Sequence, residues 1–197
     1  PSGAGVSTLT RCLSEKDGGL FSTEERNYVA IDVSADTRGI VQQVMQGSVV
    51  ADGVVLVADA SNRRSEIIEC VAKLVSHFGV DQVVVAMNKA DLVDTSAKLD
   101  EARERVRQLT AKAGVNCLAI VPVSAKTTGN VHGSGGDFFG VEGPSLTDAL
   151  DAFEAVQPLS DQPLRLPLTS FSDKQGSRFY EGRLRSGVLV EGDQIVL

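Results

Sequence analysis

The sequence predicts an α/β fold in which a doubly wound, mainly parallel sheet carries helices on both faces. Three apolar runs, "GVVLVAD", "QVVVAMN" and "CLAIVPVS", lack the alternation of a half-exposed strand and suit strands buried on both faces. Amphipathic segments with helical spacing separate them, and this regular β-α-β-α alternation is typical of a parallel sheet. After three prolines within 158–167 the pattern changes to short alternating segments with Gly-containing turns, which favour a β-barrel.

The periodicity assigns each element in chain order. Helices are predicted at 7–15, about 37–49, 67–78, 96–113 and 144–153, and strands at 20–25, 27–33, 53–59, 82–88 and 117–124. Strands of the second domain are predicted at 164–171, 178–185, 187–190 and 193–197. The predicted organisation is a first domain over 1–158, a linker over 159–162 and an incomplete β-barrel domain over 163–197.

Composition excludes several classes of function. The 197 residues carry a net charge of −7, which disfavours broad electrostatic binding to nucleic acid. The longest apolar runs fall far short of the roughly 20 residues that span a bilayer, so no membrane association is expected. The three cysteines form no C-x-x-C pair and sit in apolar segments. They are therefore predicted to be buried free thiols, which favours a reducing, cytoplasmic location.

The strongest chemical signal is Asn88-Lys89-Ala90-Asp91, directly after a buried strand. Ligands of doubly wound sheets bind at the carboxyl ends of strands. There the Asp91 carboxylate can accept hydrogen bonds from guanine N1–H and the 2-amino group, which adenine cannot supply. Asn88 can bond the base edge and tie loops together, while the Lys89 stem packs on the ring. Taken alone, the tetrapeptide could also be a chance match.

A second motif, Ser124-Ala125-Lys126, follows the next strand. The backbone N–H of Ala125 would meet the guanine carbonyl oxygen, and the Lys126 stem would cover the other ring face. Ser-Ala-Lys alone is a weak signal, since small residues after strands are common. The two motifs in this order, each at the end of its own strand, predict a guanine site.

The amino-terminal stretch resembles the end of a phosphate-binding loop, G-x-x-x-x-G-K-[ST]. Gly3 and Gly5 suit a loop whose backbone N–H groups face phosphates, Ser7 would be a Mg²⁺ ligand, and Thr8 completes the motif. Val6 replaces the lysine that bridges phosphates. The first glycine and the strand before it would precede this sequence. The alternative is an ordinary glycine turn that begins a helix.

The next expected element is D-x-x-G at a strand end, where the aspartate holds Mg²⁺ through water. Asp32 follows the predicted strand, but Ala35 stands where the glycine should be. Residues 36–39 match the pattern literally but lie four residues past the strand, so we interpret them as a coincidence. Only 26 positions separate Val6 from Asp32, too few for a switch loop bearing a threonine ligand. That loop is either deleted or absent from the sequence given.

With these motifs in order, the chain resembles the translational GTPases of the elongation factor Tu class, a family of P-loop G domains. In the stretch "VAIDVSADTRGIVQQVMQGSVVADGVVLVADAS" the similarity rests on Asp32, Met45, Gly47 and Ala51-Asp52. "GPSLTDALDAF" is similar to the family's last G-domain helix, and residues 162–197 to the opening of its second domain. "DKQGSRF" and "GVLVEGD" most resemble the ribosome-rescue factors that partner Pelota and the termination-factor GTPase. The resemblance implies GTP or GDP as ligand, with the ribosome and a Pelota-like or termination-factor partner.

The departures from the family fall on one half of the expected site. Valine replaces the phosphate-loop lysine, alanine the switch-two glycine, and the water-positioning histidine has no counterpart, whereas the guanine-reading residues are retained. We therefore expect a degenerate GTPase-like adaptor that binds GTP or GDP with weak or no hydrolysis and without a secure Mg²⁺ site, and we assign no catalytic residue. Two alternatives stay open: an active GTPase translation factor, and a nucleotide-free scaffold with a GTPase fold.

Overall fold

The fold described here is that of a computed structural model. The structure describes residues 3–14, 19–33, 40–62, 66–80, 82–133, 138, 143–154, 159–174 and 176–195. The chain divides into two compact units, Pro1–Glu154 and Ala155–Leu197. Within the described residues no helix is long and apolar enough to cross a membrane.

The first unit contains the predicted alternation of helices and strands. Its helices are α1 (Val6–Leu13), α2 (Ile40–Val50), α3 (Glu66–His77), α4 (Ser96–Ala113) and α5 (Leu146–Asp151). Its strands are β1 (Leu20–Ser22), β2 (Asn27–Val29), β3 (Val54–Asp59), β4 (Val83–Asn88) and β5 (Cys117–Pro122). β3, β4 and β5 form a parallel sheet in that order, and β1 pairs antiparallel with β2. The α/β fold with a parallel sheet is confirmed.

The central strand β4 is buried along its whole length, because its side chains serve two cores in alternation. Val83, Val85 and Met87 pack with α2, α3 and α4 on one face. Val84 and Ala86 pack with α1 and α5 on the other. Helices on both faces explain why the strand reads as a continuous apolar run.

Local capping sets the ends of two helices. α4 begins after Thr95, whose side chain accepts a hydrogen bond from the Lys98 N–H, and ends at Gly114 in the left-handed conformation. α5 begins with a capping box between Ser145 and Asp148. It ends at Asp151, two residues before the predicted end, where the Ala152 N–H donates to the Asp148 carbonyl.

Several predicted features of the first unit need correction. The strand predicted at 27–33 ends at Val29, so Asp32 lies three residues beyond it. Cys70 is exposed, and Cys12 and Cys117 are only partly buried, although all three are free thiols as predicted. An apolar neighbourhood in sequence does not ensure burial, because a helix such as α3 also has a face turned to solvent, where Cys70 lies.

The second unit contains the antiparallel hairpin of β6 (Leu168–Lys174) and β7 (Ser177–Gly182). The strands predicted at 187–190 and 193–197 were wrong for the described part of those ranges, since residues 187–190 and 193–195 are not strands. Their backbone turns instead. The Val190 N–H donates to the Asp193 carboxylate at 2.8 Å, and the Asp193 N–H donates to the Val190 carbonyl at 3.1 Å.

Candidate guanine-nucleotide site

Asn88 joins the two sequence motifs that were predicted separately. It ends β4, and its side chain is only 3 % exposed. Its amide nitrogen donates to the Ala4 carbonyl at 2.8 Å, and its amide oxygen accepts from the Ala125 N–H at 2.9 Å. One buried side chain therefore ties the amino-terminal glycine loop to the Ser124-Ala125-Lys126 loop. An unmade buried hydrogen bond costs about 1–3 kcal/mol, so this bridge fixes both loops.

Gly5 is required by that bridge. It has a φ of +88° and precedes α1, and a Cβ built on it would collide with the Asn88 amide nitrogen. Gly3 has nearly the same φ, +86°, but a Cβ there would meet nothing within 4 Å. Both glycines provide the left-handed conformations of a tight loop before a helix. Only Gly5 also allows the close approach of Asn88.

The first turn of α1 presents the remaining residues of the predicted phosphate loop. Ser7 and Thr8 are exposed. Val6 is partly buried and packs against the core that α1 shares with α5, which contains Leu9 and Leu146. An apolar contact thus occupies the position at which the loop pattern places a lysine. The helix N-terminus carries a partial positive charge, and the hydroxyls of this turn are available to a bound anion.

Lys89 adopts the left-handed conformation, with φ 62° and ψ 31°, which costs a non-glycine residue about 1–2 kcal/mol. Its Nζ lies 2.6 Å from Oδ2 of Asp59, the last residue of β3. Burial raises the pKa of Asp59, but hydrogen bonds from Lys89 and Ser61 outweigh it, so that the pKa is lowered overall. The Asp59 carboxylate is therefore charged at neutral pH and accepts a charge-assisted hydrogen bond from the Lys89 Nζ.

Asp91 lies on a short 3-10 turn, Ala90–Leu92, and is exposed. The neighbouring Ala90 is buried, and its N–H donates to the Val123 carbonyl at 3.1 Å. This bond fastens the turn to the end of β5. The turn therefore holds an accessible carboxylate at the carboxyl end of the sheet, on the same loop as Lys89.

The loop after β5 is held by its own hydrogen bonds. Ser124 is fully buried, and its N–H donates to the Gly129 carbonyl at 3.0 Å. The Ala125 carbonyl accepts the Cys12 thiol of α1 at 2.7 Å, while Lys126 is exposed. The Ala125 N–H already donates to Asn88, so a guanine carbonyl would have to share or displace that bond.

Sequence reasoning assigned Mg²⁺ to Ser7 and Asp32. Ser7 lies in the first turn of α1, Asp32 lies in the segment after β2, and both are exposed. Their hydroxyl and carboxylate oxygens are of the type that Mg²⁺ prefers. Among the described residues, no group of three or more His, Cys, Asp or Glu could hold a metal ion. Ala35 and the literal match at 36–39 lie outside the described residues.

Comparisons with known proteins identify the family of the domain. The sequence pattern of the elongation factor Tu GTP binding domain matches residues 4–158. The chain belongs to this family. It is thus a translational GTPase-like, GTP-binding domain by descent, with the P-loop G-domain fold that the motifs predicted.

Relatives of this elongation factor Tu-type domain include archaeal elongation factors 1-alpha. The protein of Methanopyrus kandleri is 30% identical over 179 residues, covering 89% of this chain and 42% of its own. That of Thermococcus onnurineus is 31% identical over 198 residues, covering 95% and 46%. The chain therefore spans less than half the length of these relatives.

Solved structures share the fold. The translation elongation factor SelB from Methanococcus maripaludis, in complex with the GTP analogue GppNHp, has a TM-score of 0.67 at 18% identity, covering 98% of this chain and 41% of that chain. Sup35 complexed with GDP has a TM-score of 0.59 at 22% identity, covering 95% and 50%.

Sequence reasoning missed Asp59 in this elongation factor Tu-type domain. Asp59 is in register with Asn88 on the neighbouring strand, and the Ala60 N–H donates to the Asn88 carbonyl at 2.8 Å. The signal was present, since Asp59 is a polar residue at the carboxyl end of a buried parallel strand, as Asn88 is. The role of the Cys12 thiol had no sequence signal, because it depends on packing between α1 and a loop 113 residues away.

Proposed function

We propose that this domain binds GTP or GDP mainly through the guanine base, with weak or no hydrolysis and little dependence on Mg²⁺. The observation that carries the proposal is the buried Asn88 bridge, which joins the first guanine-reading loop to the second, at Ala125, and to the glycine loop, at Ala4. Asp91 would accept from guanine N1–H and its 2-amino group. The Lys89 and Lys126 stems would cover the two ring faces, Ser124 would support its loop, and Gly3, Gly5, Ser7 and Thr8 would border the phosphates.

Weak hydrolysis is inferred from the substitutions. Phosphoryl transfer depends on groups that position water and stabilise charge at the phosphates. Val6 provides neither a charge nor a hydrogen bond at the lysine position, and its side chain packs into the core. We assign no catalytic residue on this chain.

The base assignment is tested by exchanging the base. Xanthine carries a carbonyl where guanine has the 2-amino group, so a carboxylate repels it and an amide can donate to it. Wild type should prefer GDP to xanthosine diphosphate, and Asp91→Asn should reverse that preference. Asp91 is exposed, so the variant should fold. A matched control is Asp100→Asn, which is exposed on α4 and should leave both affinities unchanged. Equal affinity of wild type for GDP, ADP and xanthosine diphosphate would contradict the assignment.

We further propose that the protein acts as a conformational adaptor on the ribosome in rescue, termination or mRNA surveillance, with a Pelota-like or termination-factor partner, and therefore in the cytoplasm. The support is membership of a family of translational GTPases together with the residues "DKQGSRF" and "GVLVEGD". A bound nucleotide would stabilise the fold by mass action whether or not it is hydrolysed. Co-sedimentation with ribosomes, stimulated by guanine nucleotide, would support this role. Failure to bind ribosomes in any nucleotide state would contradict it.

An active GTPase is the second candidate, favoured only by family membership. Single-turnover hydrolysis of GTP, with and without ribosomes, separates the two. The proposal predicts slow turnover or none, and no stimulation by ribosomes. Ribosome-stimulated hydrolysis would establish the second candidate instead.

A further inference from the structure

Asp59 carries an arrangement that the guanine motifs do not explain. Its Oδ2 lies 2.6 Å from Lys89 Nζ. Its other oxygen, Oδ1, accepts the Ser61 backbone N–H at 3.0 Å and the Ser61 hydroxyl at 2.6 Å. Both carboxylate oxygens are thus engaged, so the side chain is fixed in one orientation and presents a single oxygen to the lysine.

The ion pair is partly shielded from water, and Asp59 is more buried than Lys89. The Asp59 side chain is 17% exposed and that of Lys89 33%. Pairs of this kind gain little net stability, because the loss of hydration offsets the attraction. An ion pair that contributes little to stability can still restrict the conformation of its side chains. Here it holds the end of the Lys89 stem in place.

Backbone strain concentrates in the same place. Within the described part of the chain, the non-glycine residues with positive φ are Lys89, Thr128 and Asn130. All three lie in the loops that follow β4 and β5. Strained backbone conformations cluster at functional sites, where the surrounding structure enforces them. Lys89 thus combines a strained backbone with an anchored side-chain terminus.

We propose that Asp59 is a positioning residue for nucleotide binding, which holds the Lys89 stem across the face of the guanine ring. This inference rests on the proposed function. A lysine stem that is free before binding loses rotamer freedom when it covers a ligand, and anchoring it in advance removes that cost. Asp59 already pairs with the Lys89 ammonium. The anchored stem should therefore strengthen binding of the guanine base and not of the phosphates.

The test is a double-mutant cycle of Asp59→Asn and Lys89→Met, with calorimetric titration of guanosine and GDP. Asparagine can still accept the Ser61 N–H but lacks the charge that holds the lysine. Methionine retains an unbranched stem without the ammonium. We expect Asp59→Asn to lower the affinities for guanosine and GDP by the same factor, about tenfold. In the Lys89→Met background the same change should have no effect on either affinity. Asp59→Glu, which retains the charge, should recover part of the loss.

A matched control is Asp94→Asn, which removes a second Asp–Lys pair with an Nζ–Oδ2 distance of 2.7 Å on the surface. It should leave both affinities unchanged. An unchanged guanosine affinity in Asp59→Asn, or an equal loss in the lysine and methionine backgrounds, would overturn the positioning role while wild-type binding persists. If wild type binds neither guanosine nor GDP, the proposed function itself fails, and this role fails with it.

Discussion

The candidate site has two halves that are held in different ways. The base half consists of Asn88, Lys89, Ala125 and Asp59. Asn88 bonds the Ala4 carbonyl and the Ala125 N–H, and Lys89 pairs with Asp59, all at 2.6–2.9 Å. The phosphate half consists of the exposed hydroxyls of Ser7 and Thr8, the exposed Asp32 and the core-packed Val6. The base half is therefore built by the protein's own contacts. The phosphate half depends on one helix N-terminus and lacks the loop lysine.

This difference shows that the two halves of one nucleotide site can be maintained by different physical constraints. The contacts of Asn88 belong to the fold, because this buried side chain at the end of β4 bonds the backbone of two loops. Removing them would cost stability as well as binding. The lysine position at Val6 makes no comparable hydrogen bonds. Its partly buried side chain packs onto the core, and the apolar stem of a lysine can make a similar contact. A substitution at that position can change nucleotide chemistry and leave the fold intact.

The largest effect is expected from Asn88→Ala, which breaks the base half. The change leaves the buried Ala4 carbonyl and Ala125 N–H without their partner, so the free energy of unfolding should fall by about 2–4 kcal/mol. Guanine binding should be lost with it. Urea denaturation measures the first effect. Asn116→Ala, an exposed asparagine before β5, is the matched control and should change the unfolding free energy by less than about 0.5 kcal/mol. A similar small change at both positions would show that the bridge does not hold the loops.

The next largest effect compares Gly5→Ala with Gly3→Ala. Gly5 and Gly3 have nearly equal φ values, +88° and +86°, so alanine should strain the backbone equally at each. That strain costs about 1–2 kcal/mol. Only Gly5→Ala adds the collision with Asn88, so its unfolding free energy should fall by about 1 kcal/mol more. Thermal and urea unfolding of the two variants measure the difference. Equal losses would mean that Asn88 yields to the added methyl group without cost.

Val6→Lys restores the phosphate-loop lysine and should affect only the phosphate half. A charge-assisted hydrogen bond to phosphate contributes about 1.5–3 kcal/mol, so GDP affinity should rise by about tenfold to a hundredfold. Guanosine affinity should stay unchanged, because guanosine has no phosphate. Val6→Met, which lengthens the side chain without a charge, is the control and should give no gain. A gain for guanosine, or none for GDP, would contradict the division into two halves.

The smallest effect concerns the pH dependence of the Asp59–Lys89 pair. The folded-state pKa of Asp59 lies below its ordinary value of 3.8, so the charged form stabilises the fold above that value. This contribution is lost as pH falls from about 3.8 through the lower, folded-state pKa. The difference in unfolding free energy between wild type and Asp59→Asn should therefore shrink over that range. Urea denaturation between pH 5 and pH 2 measures it, and a difference that is constant with pH would exclude the carboxylate charge as its cause.

Much of this architecture could be predicted from the sequence, because its signals are local. The buried runs of β3, β4 and β5 and the periodicity of α3 and α4 identify the sheet and its helices. The position of Asn88 at the end of β4 was also readable, because the motif follows an apolar run directly. The family comparison confirms the class of domain that these motifs predicted.

The remaining features depend on contacts between distant segments. The use of the Ala125 N–H by Asn88 links residues 37 positions apart, and the Asp59–Lys89 pair joins the end of β3 to the loop after β4. Neither follows from the spacing of residues along one segment. The strands predicted after Gly187 failed for a related reason. Alternating apolar residues become a strand only when a neighbouring strand accepts their hydrogen bonds, and Val190 bonds to Asp193 in its own turn instead.

Calorimetric titration of the protein with GDP, GTP and ATP, each with and without Mg²⁺, measures whether the base half binds nucleotide without an intact phosphate half. We expect binding of GDP and GTP with similar affinities, little change on removing Mg²⁺, and no binding of ATP. A strong, Mg²⁺-dependent preference for GTP would contradict this expectation, because the phosphate half would then be intact. Absence of guanine-nucleotide binding would contradict it as well and would leave a scaffold with the fold of a GTPase.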